Sequence, residues 1–175
     1  SSPPRRALPP GWSRPACLLL AALWLAPAAA QAPLYEQPPF DRITLDAAND
    51  NLVLNVRPIE AFPNRKLPDS LPKSGKLVIE RIDEPGTTYE LLWRAIVKIE
   101  LFEQLILDEV NGLVASGQFD RAYEYFLHLE NEKPDLPGLK DAYESYLYEE
   151  ATALQIAGDY PAALARLREI CDRNP

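Results

Sequence analysis

His128 is the only histidine in the 175-residue chain. Without a second nitrogen or a thiolate at ligand spacing it supplies neither a zinc site nor a nucleophile–base pair, so it reads as a solvated helix residue. Carboxylates do gather, at Glu130, Glu132 and Asp135 and again at Glu149 and Glu150. A general acid–base pair, however, needs a cleft that drives two pKa values apart, and carboxylates this close in a helical pattern default to a solvated helix end. The seven glycines are scattered singly, which leaves no phosphate-cradling loop. Cys171 falls on an apolar helix face with nothing basic placed to lower its pKa, and reads as a buried structural thiol. These residue types assign no catalytic, cofactor-binding or metal-ligating position. What remains is the cluster Tyr143, Tyr146 and Tyr148, since tyrosine offers wide contact area at low entropic cost, as binding surfaces favour.

The elements that carry these side chains are written twice. Gly117-Gln-Phe119-Asp-Arg-Ala122 returns as Gly158-Asp-Tyr160-Pro-Ala-Ala163, 41 residues later. The same offset matches Ile106 with Leu147, Val110 with Ala151, Leu113 with Leu154, Phe126 with Leu167, Leu129 with Ile170 and Pro134 with Pro175. Apolar spacing of four and three on both sides of each glycine predicts helices, with the glycine in the left-handed conformation that ends the first of each pair. Pro161 fits the first turn of the helix that follows, where an amide needs no partner. One face of the later helices collects Phe119, Ala122, Tyr123 and Phe126, then Tyr160, Ala163, Leu164, Leu167 and Cys171. Such a unit cannot bury its stripe alone and is stabilised by stacking on neighbours.

Gly-x-aromatic-x-x-Ala-x-x-x-aromatic or Leu, followed eight residues on by Pro, resembles the second half of a tetratricopeptide repeat over residues 103–175. The first halves depart from it, with Glu109-Val110 and Glu150-Ala151 where the family prefers Leu-Gly. The offset of 41 against a family period of 34 leaves seven residues over, between Pro134 and Tyr143. Seven residues are about two helical turns with about 20° of drift, so they extend a first helix that starts near Gly138. The resemblance implies a concave groove lined by Gln104, Leu107, Asn111 and Val114 and by Ser145, Tyr148, Thr152 and Gln155. Leu107, Asn111, Tyr148 and Thr152 are its candidate contacts to a protein or peptide partner, while Tyr143 belongs to the core. Only Asn111 matches the carboxylate clamp some relatives use and the lysines are missing, so the groove is not expected to take acidic C-terminal tails.

Ahead of the repeats the chain opens with Arg5, Arg6 and Arg14, eleven apolar residues from Ala16 to Ala26, and Ala28-Ala-Ala30 before Gln31. That is the form of a cleaved export signal spanning 1–30, and the apolar run is short of the roughly 20 residues that span a bilayer. The choice between general and twin-arginine export stays open. Removing 1–30 takes away three arginines and no acid, leaving 15 basic against 26 acidic side chains, a formal net charge of −11. That sign opposes nucleic acid and anionic membranes as partners. No methionine occurs, the first residue is Ser1, and Pro175 closes the second unit, which together imply an incomplete gene product with more protein following.

Residues 31–101 alternate with period two. Ile43 and Leu45 with Leu52, Leu54 and Val56 flank the turn formers Asn49-Asp-Asn51; Leu77 and Ile79 with Tyr89, Leu91 and Trp93 flank Glu84-Pro85-Gly86-Thr87, a type II turn. Pro58, Pro63, Pro68 and Pro72 make 58–75 a long connecting loop, and 96–101 offers a fifth strand. The expected fold class is α+β: a small SH3-like antiparallel β-barrel followed by a two-hairpin helical solenoid.

Three functions stay in view: an exported, non-catalytic interaction or scaffold module of the bacterial envelope, in the periplasm or beyond; the N-terminal appendage of a transport protein; and a non-catalytic part of a secreted enzyme. The second rests on the run Tyr89-Glu-Leu-Leu-Trp93 through Glu103, which resembles the N-terminal region of large exported bacterial proteins related to family 5 extracellular solute-binding proteins for peptides. Expressed in an exporting bacterium, the chain should begin at Gln31 by N-terminal sequencing; a product that keeps Arg14 would refute cleavage there.

Overall fold

A computed structural model describes residues 32–173; the expected export signal lies outside them. Five strands come first, at Asp41–Leu45 (β1), Val53–Val56 (β2), Lys76–Glu80 (β3), Thr88–Leu92 (β4) and Ile96–Glu100 (β5). Four helices follow, at Phe102–Ala115 (α1), Phe119–Glu132 (α2), Leu139–Ala157 (α3) and Tyr160–Arg173 (α4). The mixed α and β content matches the sequence pattern. β1 shows why, with Asp41, Ile43 and Leu45 buried and the residues between them half-exposed, as a pleat with one core face demands.

Both expected hairpins form, and each turn is made by the residues that tolerate positive φ. Asp50 and Asn51, at φ 57° and 51°, turn the chain between β1 and β2. Gly86 at φ 86°, with the Thr87 amide donating to the Glu84 carbonyl at 3.3 Å, turns it between β3 and β4.

The sheets do not close, which corrects the barrel. One sheet runs in the order β2-β1-β5 and the other holds β3 and β4, joined through a single antiparallel bridge between Val56 and Arg81. Closure requires strand tilt and register to agree all round. Here the β1–β5 register shifts at Thr44 and Leu45, and a one-turn 3₁₀ helix at Trp93–Ala95 separates β4 from β5. The gap is filled from the proline-rich segment, which does more than connect: Ile59 and Phe62 are buried among Ile43, Val56, Leu77, Ile79 and Ile99.

The helices form two hairpins, α1 with α2 and α3 with α4. Their turns are identical in bonding. At Gly117 (φ 73°) the Gln118 amide donates to Leu113 and the Gly117 amide to Val114, both at 2.9 Å; at Gly158 (φ 84°) Asp159 donates to Leu154 at 2.9 Å and Gly158 to Gln155 at 3.1 Å. That six-to-one, five-to-two pattern satisfies the last carbonyls of a helix and needs the left-handed residue that glycine supplies. The first helix of the second pair is longer, as expected, but by five residues and not by all seven: α3 has 19 residues against 14 for α1 and begins directly after Gly138, the rest of the insertion lying in the segment before it.

Strands and helices are pinned together by a buried carboxylate. Asp41 has 0% exposure. Its Oδ2 accepts the Ile59 amide and Arg65 Nη1, each at 2.7 Å, while its Oδ1 accepts Arg65 Nη2 at 2.5 Å and the Phe102 amide at 3.1 Å. Arg65 also donates to Glu103, from Nε at 3.2 Å and Nη2 at 3.1 Å. The hydrogen bonds to Asp41 hold Arg65 further into its charged form against the opposing effect of burial. Burial is the largest single influence on Glu103 and opposes its ionisation, but the bond from Arg65, a backbone hydrogen bond and the charges of Arg65 and Lys133 together outweigh it and set its pKa below the ordinary value. Asp41→Ala would strand a partly buried guanidinium and two amides, so urea unfolding should show a loss of about 3–5 kcal/mol; a loss under about 1 kcal/mol would mean the network carries no stability.

Candidate functional site

The four positions assigned to a groove do not share a fate. Leu107 is 3% exposed, packed in the helical core with its Cδ2 lying 3.8 Å from where a β-carbon on Gly138 would stand. It cannot meet a partner. Its position in the first helix is covered because the extra turn leading into α3 folds back over it. Thr152 is half-exposed, but its hydroxyl donates to the Tyr148 carbonyl at 2.9 Å and so satisfies its own helix. Asn111 is exposed on α1, and Tyr148 is 60% exposed on α3. Those two are the assigned residues free to touch another molecule.

Beneath Tyr148 the other tyrosines are structural. Tyr143 and Tyr146, 4% and 3% exposed, project from α3 onto the apolar face of α2. Phe126 meets Tyr143 edge-on at 4.9 Å between ring centroids and Tyr146 at 5.3 Å; Phe119 and Tyr123 lie 6.2 and 6.5 Å from Tyr146. These are the offset and edge-to-face spacings aromatic rings prefer. The α2–α3 seam is therefore an aromatic lock, and it joins one hairpin to the next.

A polar lattice backs the seam. The Tyr143 hydroxyl donates to Glu169 Oε1 at 3.0 Å, Arg173 lies 4.0 Å over the Tyr143 ring, and Arg173 Nη1 donates to Glu130 at 3.0 Å. Arg166 Nε stands 2.8 Å from Glu150 Oε2, an ion contact rather than a well-aimed hydrogen bond. Burial first, then Glu169, raises the pKa of Tyr143; burial first, then Glu150, raises that of Tyr146. Glu130 and Glu150, read from sequence as solvated, are thus bracing members between helices. The signal available was the pair Arg166 and Arg173, seven residues apart and so on one side of α4.

Two further residues differ from expectation. His128 is half-buried, with Tyr35 stacked on it at 5.0 Å, because the segment 32–40 lies against α1 and α2 and the Leu34 amide donates to the Tyr125 hydroxyl at 2.9 Å. Cys171 is exposed, since α4 turns Ala163 and Ile170 inward and leaves its other apolar residues facing out. A hollow of about 570 Å³ opens between Pro38, Phe40, Asn55, Arg57 and Ile82, but neither a carboxylate nor a thiol or imidazole lines it. Among the described residues no group of three or more His, Cys, Asp or Glu has metal-site geometry, and no helix is long and apolar enough to cross a membrane.

No protein-family model, curated protein or solved structure matches the chain. The helical part of the molecule combines an aromatic seam, a braced back, and exposed aromatic and apolar side chains on both hairpins.

A raised tyrosine pKa in the folded state stabilises below the unfolded value of about 10 and loses that contribution as pH rises past it. The thermal midpoint should accordingly hold up to about pH 10 and fall above it, and Tyr143→Phe should flatten that fall while costing about 1 kcal/mol at neutral pH. An unchanged alkaline slope in the variant would show that Tyr143 does not contribute.

Proposed function

We propose that this chain is an exported protein-interaction module of the bacterial cell envelope, built on tetratricopeptide-like hairpins and not itself catalytic. The observation that carries the reading is Tyr148, a large aromatic side chain 60% exposed on a helix whose other two tyrosines are buried. Aromatic side chains at such positions dominate interface energetics because they bury a large rigid surface at small entropic cost. Tyr148 is held on a rigid support, since α3 is fixed on one side by the aromatic seam and on the other by the ion pairs of α4. Support for export comes from the arginines and apolar run of residues 1–30, and support for a protein partner over a polyanion comes from the acidic balance of the remainder.

A photocrosslinking phenylalanine analogue at position 148, introduced in the native cells, should give a discrete higher-mass protein adduct that the same analogue at exposed Lys73 does not. Tyr148→Ala should weaken capture of that partner about tenfold or more while changing stability by no more than about 0.5 kcal/mol. Absence of any adduct from positions 148 and 111 alike would defeat the reading.

A further inference from the structure

The hollow of about 570 Å³ beside β2 lies where three segments meet: residues 37–40, the end of β2 with Pro58, and the turn that follows β3. Pro38, Pro39, Pro58 and Pro85 form much of its wall. Proline fixes its own φ and carries no amide hydrogen, so this wall is pre-shaped, apolar and without backbone donors. Phe40, half-buried, and Ile82, 45% exposed, add hydrocarbon. A smaller hollow of about 300 Å³ shares Asn55 and Ile82 with the first and continues past them to Val53, itself 53% exposed, where Arg81 and Asp83 bond to each other at 2.9 Å. Small-molecule sites fall at about 300–1,000 Å³, so the larger hollow has the volume of one and an apolar extension besides.

The polar groups of the larger hollow are Gln37, Asn55 and Arg57: two amides and one cation, with no carboxylate in the wall. In a chain of 26 acidic and 18 basic side chains that is a local reversal of charge. Arg57 is also aimed. Its amide donates to the Glu80 carbonyl at 2.8 Å, and its Nε stands 3.1 Å from Glu80 Oε1, which in turn accepts the Gly86 amide at 2.7 Å. Both terminal nitrogens of the guanidinium are left without a partner among the described residues. Two parallel N–H donors at the end of a guanidinium match the two oxygens of a carboxylate.

We propose that this hollow binds a monocarboxylate carried on an apolar body, with the acid group on the terminal nitrogens of Arg57 and the hydrocarbon along the prolines and Ile82 toward Val53. A monoanion is favoured over a phosphate dianion for a physical reason: one guanidinium already backed by Glu80, in an acidic chain, offsets at most a single negative charge. Asn55 and Gln37 supply the remaining hydrogen bonds to the acid group, and the rigid proline walls lose little entropy when hydrocarbon covers them. This goes beyond the interaction-module reading and does not rest on it.

Octanoate is the probe, titrated into the full chain and followed through backbone amide shifts in NMR. Saturable shifts are expected at Asn55, Arg57, Ile82 and Gly86, with a dissociation constant below about 1 mM. Octanol, equally long but uncharged, should bind about tenfold or more weakly, and so should octanoate to the Arg57→Leu variant, because a hydrogen bond to a charged group is worth about that factor. The Arg57 side chain is 62% exposed, so the variant should keep the parent's thermal midpoint. Ile82→Ser leaves the guanidinium in place and should also weaken octanoate. Acetyl-leucyl-leucine and its C-terminal amide separate the sources of such an acid: a free dipeptide acid that binds more tightly than octanoate assigns the hollow to a chain terminus, and the reverse order assigns it to a small free acid. Equal binding of the dipeptide acid and its amide would overturn the proposal, as would shifts that ignore Arg57→Leu, that centre on the helices, or that fail to saturate. None of these outcomes involves position 148, so failure of this site and failure of the interaction reading are told apart.

Discussion

A carboxylate with no exposure to water sets the geometry of this molecule. Asp41 sits at the first position of β1, and its two oxygens accept Arg65, the amide of Ile59 and the amide of Phe102. A helix begins with amides that its own backbone cannot satisfy, and the residue preceding α1, Leu101, has no side chain able to cap it. Asp41 serves as that cap from 61 residues away, with the further benefit of negative charge at the positive end of the helix. The position and start of the helical array are therefore dictated by a strand. The same carboxylate thus ties the proline-rich segment, whose Ile59 and Phe62 also pack in the strand core, to the start of α1.

From that anchor the helices propagate by two kinds of contact. Within each hairpin a glycine in the left-handed conformation closes the turn with the same pair of hydrogen bonds. Between hairpins the contact is aromatic, with α3 laying two tyrosines into the face of α2, and polar behind, where Arg166 and Arg173 tie α4 to the acids of α2 and α3. These contacts leave part of the helical surface uncovered: Tyr148 lies on the side of α3 away from the seam, and Tyr160, Leu164 and Leu167 are exposed on α4 among the described residues. A rigid scaffold presenting a few apolar groups is what binding requires, because side chains already ordered lose little entropy when a partner arrives.

Much of this was legible in the residues themselves. Periodicity fixed the helices, the recurring glycines fixed their ends, and alternation with Asn, Asp, Pro and Gly at the turns fixed five strands, because each of these is a local consequence of backbone sterics and pleat. That α3 is longer than α1 followed from counting, although five of the seven inserted residues' worth of length, not all of it, went into the helix.

Long-range relations were decided only in three dimensions. Nothing near Asp41 or Arg65 announces their pairing, for they are 24 residues apart and Arg65 lies in a segment whose prolines suggest mere linkage. Leu107 and Tyr148 both sit on apolar-patterned helices, yet one is sealed by the chain before α3 and the other is open, a difference set by which element passes overhead. Barrel closure likewise depends on pairing all round, and here β3 and β4 pair with each other while β5 pairs with β1, leaving two sheets. Sequence determines what each stretch wants to bury; which stretches find a neighbour to bury it against is a property of the assembled fold, because burial is a relation between surfaces brought together by the whole chain.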